Sequence, residues 1–170
     1  TLRRLILDRA SREEGAARAN SLARAAQLSA DELDDDAEAE RLFTEALHAD
    51  PDADAIRDRF IALLRKRERW SALFEELRHR WERSLGPQRA AVADQLAELA
   101  ETELGDPTTA QHYRRQALRD APADVRRLRA LVDLLASQRH WEELVELLEE
   151  AVDTMVLDAE SAAGFYALLG

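Results

Sequence analysis

AERLFTEALHADP, residues 39–51, and AQHYRRQALRDAP, residues 110–122, stand 71 positions apart and decide the fold. In both, small and apolar residues recur three or four apart, as one face of a helix requires, and the run stops at a proline. Pro51 and Pro122 cannot continue a helix, because the ring removes a backbone donor and clashes with the preceding turn. Working outward at the same offset, Ala26 meets Ala97, Leu28 meets Leu99, Leu33 meets Leu104 and Asp35 meets Asp106. Further on, Leu63 meets Leu134, Leu64 meets Leu135, Trp70 meets Trp141, Leu73 meets Leu144 and Leu77 meets Leu148, and no gap is needed. What recurs is small or apolar at helical spacing, with Pro and Asp at turns, so a packing solution is being repeated.

Each 71-residue block holds four helical segments. The spacing predicts helices over 17–33, 36–49, 54–67 and 70–84, and again over 89–104, 107–120, 124–137 and 141–155. Gly105 suits a left-handed helix end, Asp106 can cap the next helix, and Pro107 fits a first turn where its missing N–H is not needed. Few β-branched and aromatic residues leave no strand signal, so the expected class is all-α. A helix of about 14 residues is marginal alone in water, so stability must come from neighbouring hairpins. Trp70 and Trp141 are expected as packing anchors, each worth roughly 3 to 5 kcal/mol if buried.

The stretch Ala39, Phe43, Ala46, Pro51 has the spacing A-x3-F-x2-A-x4-P and resembles the second helix of the tetratricopeptide repeat; half of the 71-residue period is close to that family's repeat length. The counterpart keeps Ala110, Ala117 and Pro122 but has Arg114 where Phe43 stands. First helices depart more, with Ala23, Ala26, Gln27 and Ala30 at the places of the family's Trp, Leu, Gly and Tyr. The resemblance implies one right-handed superhelical solenoid of antiparallel helix hairpins over 1–170. In it, 1–15 is the last helix of a preceding unit, 16–86 and 87–157 are two blocks, and 158–170 opens a further unit. On this reading the solenoid is incomplete at both ends, because no polar closing helix is recognised.

The resemblance further implies a non-catalytic scaffold that holds a protein segment in its concave groove. First helices line that groove, which would place Arg24, Asp58, Arg59, Arg65, Lys66, Gln95, Arg126, Arg129 and Asp133 on it. This set is more basic than the chain, so an acidic peptide, paired by arginine forks, is the expected ligand. Equally compatible are ordinary solvated faces with neighbours such as Glu68. A structural or self-associating arm, or a regulatory region of a larger protein whose enzyme domain lies elsewhere, is the alternative.

Composition narrows the rest. A net charge of −11 repels nucleic acid and anionic lipid, and no apolar run approaches the roughly 18 residues of a membrane-spanning helix. Without cysteine there is no disulfide or thiolate site. Lys66 is the only lysine among 24 basic residues, a usage that suits a GC-rich, bacterial genome. The compartment stays open, with the cytoplasm favoured. His48, His79, His112 and His140 form no ligand pair at i and i+4. Asp50, Asp52 and Asp54 alternate like the start of a calcium loop, but Ala55 and Ile61 stand where that loop needs Gly and Glu. No phosphate loop or nucleophile elbow is present. Neither enzyme chemistry nor a cofactor or metal is expected.

Overall fold

The structure, a computed structural model, describes residues 2–154, so the helix opening expected over 159–169 lies outside it. Nine helices occupy these residues: α1 Leu2–Ala10, α2 Gly15–Glu32, α3 Asp36–Ala49, α4 Asp54–Lys66, α5 Trp70–Arg83, α6 Gly86–Thr102, α7 Pro107–Asp120, α8 Val125–Ser137 and α9 Trp141–Thr154. No strand occurs among the described residues. Within each of its two compact units short joints turn consecutive helices antiparallel, so the chain is an all-α succession of helix hairpins. It divides into two compact units, 1–69 and 70–170.

In the first unit α2 and α3 are the most closely packed pair. The reason lies in their facing residues: Ala19, Ala23, Ala26 and Ala30 on α2 and Ala39 and Ala46 on α3 are all buried. Methyl groups let two backbones approach where larger side chains would hold them apart. Leu42 and Phe43, fully buried, fill what remains, and Phe43 stacks on Phe60 of α4 with ring centroids 5.2 Å apart. Arg57 is buried too; its Nη2 donates to the Pro51 carbonyl at 3.3 Å.

The second unit repeats the pairing with α6 and α7, through Ala90, Ala93, Ala97 and Ala100 against Ala110 and Ala117. Here Tyr113 replaces the aliphatic filler. Trp81 and Phe74 of α5 meet its ring edge-on at 5.4 and 5.7 Å, and the Arg89 guanidinium lies 4.2 Å over the Trp81 ring. Burial pushes the Tyr113 phenol above its ordinary value, nearby Arg78 only partly opposing it. Leu128, Leu131, Val132 and Leu135 of α8 close with Leu144, Leu147, Leu148 and Ala151 of α9 into one aliphatic cluster.

Element bounds recur at the sequence offset: α7 and α8 begin and end 71 residues after the bounds of α3 and α4, and α9 begins 71 residues after α5, a relation that holds to the residue. Left-handed residues recur as well. Asp34 and Gly105 have φ of 51° and 61°, and Glu68 and Arg139 have φ of 55° and 60°. Past each of the latter pair the next N–H reaches back, Arg69 to the Leu64 carbonyl and His140 to the Leu135 carbonyl, which satisfies a helix end. Asp35 and Asp106 cap α3 and α7 through the backbone N–H groups of Glu38 and Thr109.

Trp141 departs from the expectation of a buried anchor. It is 52% exposed, and Trp70 is only half-buried. Each is the first residue of its helix, at the end of the buried stripe rather than within it. The anchors are Leu73 and Leu77 in α5 and Leu144 and Leu148 in α9, all buried.

Candidate functional site

All nine residues expected on a binding face are exposed. They fall into two sets. Arg24 on α2 and Asp58, Arg59, Arg65 and Lys66 on α4 belong to the first unit, where α2 and α4 touch. Gln95 on α6 and Arg126, Arg129 and Asp133 on α8 belong to the second.

The two sets differ in how their charges are held. Many arginines of this protein pair with carboxylates of a neighbouring helix or turn. Arg18 pairs with Glu45 at 2.5 Å, Arg67 with Asp34 and Asp36 at 2.8 and 3.1 Å, and Arg69 with Glu40 at 2.8 Å. Arg67 and Arg3 thereby hold the acidic run around Asp34 to Asp36 that could otherwise have attracted a cation. By contrast, Arg24, Arg59, Arg65 and Lys66 of the first set and Arg129 of the second form no ion pair among the described residues. Of the acidic groups on those stripes, Asp31 accepts from Gln27 at 2.7 Å and Asp58 is engaged elsewhere.

In the second unit a depression of about 620 Å³ is lined by Asp94, Glu98, Glu101 and Thr102 of α6, Arg114 of α7, and Asp124, Arg126, Arg127 and Ala130 at and within α8. Its charges are largely satisfied internally. Arg127 bonds Asp94 and Asp124 at 2.8 and 2.9 Å, Arg114 bonds Glu101 at 2.7 Å, and Arg126 lies 3.6 Å from Asp124. Burial works to raise the Asp124 carboxyl, but the backbone N–H of Arg126 and the charges of Arg127 and Arg126 outweigh it and hold the group below its ordinary value. With four carboxylates against three guanidinium groups, this depression is not basic. Only Arg126 of the nine expected residues lines it.

Sequence reading missed Asp94, Glu101, Arg114 and Arg127 as members of one surface, because their pairs span 13 to 33 residues and need the hairpin to bring them together. One signal was available: Arg114 stands where Phe43 does 71 residues earlier, and a charge replacing a core aromatic must find a partner.

Among the described residues no three of His, Asp and Glu gather as a metal site would require. His79 and His140 each lie beside a single carboxylate, Glu82 at 3.7 Å and Glu143 at 3.5 Å. No described helix is long and apolar enough to cross a membrane.

Neither a protein-family model nor a curated protein matches this chain. Among solved structures it is similar to one titled "Functional Characterization of Pseudomonas Aeruginosa pilF", with 17% identity, 92% of this chain and 75% of that chain covered, and a TM-score of 0.48.

Proposed function

We propose that this chain is a non-catalytic protein-interaction scaffold of tetratricopeptide-like character, and that it holds an acidic segment of a partner protein. Its repeating element is the 71-residue, two-hairpin block, 16–86 and 87–157. Recurrence of helix bounds, left-handed joints and caps at that offset supports this division. The observation that carries the binding reading is that α2 and α4, which touch, present four exposed cations, Arg24, Arg59, Arg65 and Lys66, that form no ion pair among the described residues in a chain of net charge −11. Exposed cations left without partners are available for carboxylates of another chain, and arginine offers two parallel N–H donors to each.

The test is capture of binding partners by the immobilised chain, followed by reversal of charge. Arg59→Glu with Lys66→Glu is expected to weaken capture by tenfold or more, on the order of the cost of placing like charges at an interface. Arg126→Glu with Arg129→Glu is expected to weaken it less, because Asp124 already neutralises Arg126 in part. Indifference to both double substitutions would exclude these faces as the binding surface.

A further inference from the structure

The exposed stripe of α9 is the chemical complement of the stripes on α2 and α4. At about 100° per residue, Trp141, Glu142, Val145, Glu146 and Glu149 fall within one arc of roughly 140°, opposite the leucines buried against α8. Trp141 is 52% and Val145 39% exposed. Glu142, Glu146 and Glu149 form no ion pair among the described residues. The helix thus offers an apolar ridge flanked by three carboxylates without partners.

Both surfaces have diverged from their own counterparts in the repeat. Seventy-one residues earlier the α9 stripe reads Trp70, Ser71, Phe74, Glu75 and Arg78. There Phe74 is turned onto Tyr113, and Arg78 pairs with Glu75 and Glu82 at 2.6 and 2.7 Å, so that the charges on this stretch of α5 are closed on themselves. In α9 the cation is gone, replaced by Glu149. Conversely, Arg24, Arg59, Arg65 and Lys66 become Gln95, Ala130, Ala136 and Ser137 in the second block. Between the blocks the four cations become uncharged, while on α9 Glu142 replaces Ser71, Glu146 keeps the charge of Glu75 and Glu149 reverses that of Arg78, which leaves cations at one place and three carboxylates at the other.

From this we infer that the chain associates with itself head to tail: the α9 stripe of one copy docks on the α2 and α4 stripes of another. The proposal rests on the acidic-segment reading above and names a second copy as the source of the acidic segment. Such a contact joins two different surfaces, so it propagates into chains or closes into a ring. Carboxylate–guanidinium pairs supply direction, and the Trp141 ring, an amphipathic group of the kind enriched at interfaces, supplies buried apolar area.

Charge-swapped variants test this by sedimentation velocity. The wild-type chain is expected to grow in mass with concentration, and to do so less at high salt, where exposed charges are screened. Arg59→Glu with Lys66→Glu, and separately Glu146→Lys with Glu149→Lys, should each stay monomeric. Mixed, the first variant's acidic α9 meets the second's basic α2 and α4 stripes, and the second's α9, now basic, meets the first's α4, now acidic, so both junctions form and growth resumes by alternation of the two variants. All four positions are exposed, and matching circular dichroism of the variants would show that folding is intact. A wild-type chain that stays monomeric at all concentrations, or a mixture that does not pair, overturns the proposal. An unrelated oligoglutamate peptide separates the two readings: if it binds in a manner that depends on Arg59 and Lys66 while the chain remains monomeric, self-association is wrong and the acidic-segment reading stands. If it fails to bind as well, both fall.

Discussion

Phe43 and Arg114 stand 71 positions apart and do opposite things. Phe43 is wholly buried and stacked on Phe60, whereas Arg114 turns to Glu101 and lines an open depression. Phe43→Ala is therefore expected to cost about 3 to 5 kcal/mol in urea unfolding, by lost transfer energy plus the cavity left behind. Arg114→Ala removes a partly exposed ion pair and should cost under about 1 kcal/mol. The same contrast holds within α9. Leu144→Ala, at a site with no exposure, is expected to cost about 2 to 5 kcal/mol, and Trp141→Ala distinctly less despite its larger side chain. Helical spacing places Trp141 at the start of its helix, but does not reveal that its ring stays outside the buried stripe. Paired and unpaired arginines likewise look the same in sequence: Arg67 and Arg65 are two residues apart, yet only the hairpin brings Asp34 and Asp36 to one of them.

Helices and their joints were the most legible level, because their punctuation is chemical. Gly105, Asp106 and Pro107 read as a helix end, a cap and a first turn, and the structure gives them φ of +61°, a bond from the Thr109 N–H, and the start of α7. Less legible were Asp34, Glu68 and Arg139, which adopt the left-handed conformation without being glycine. Their joints are fixed by the packing of the flanking helices, which overrides local preference. Arg139→Gly should therefore raise stability by up to about 1 kcal/mol, since glycine avoids the steric cost of that conformation and loses part of the gain to its greater freedom when unfolded. Removing the α3 cap with Asp35→Ala should lower stability by about 1 kcal/mol. Both are read from thermal or urea transitions.

Acid sensitivity belongs to the same scale. The Arg41 guanidinium holds Glu38 below its ordinary carboxylate value, and the Thr109 hydroxyl and backbone N–H do the same for Asp106, as Asp124 experiences at the start of α8. A folded-state value below the unfolded one stabilises the protein above pH about 4, and that contribution is lost as pH falls through the lowered values. Far-UV circular dichroism against pH should stay flat down to about pH 4 and fall below it. A chain with Asp106→Asn should lose less stability across that acid window than the wild type.

At the scale of the whole chain, contacts run chiefly between helices adjacent in sequence. Little loop entropy must be lost before such contacts form, so stopped-flow refolding is expected in the microsecond to millisecond range. All-α class and hairpin succession could be read from the 71-residue period because repeated packing repeats its spacing. The division into units 1–69 and 70–170 could not, since it depends on which helices touch rather than on which residues recur.

Glu68 and Arg139 occupy equivalent left-handed joints, each followed by a helix that opens on tryptophan. A gene recombined so that codon 139 is followed by codon 69 would therefore encode a chain longer by one block, with every junction still spelled correctly. The joint is a crossover point, and through it unequal exchange between neighbouring blocks can lengthen or shorten such a protein without inventing a single new turn.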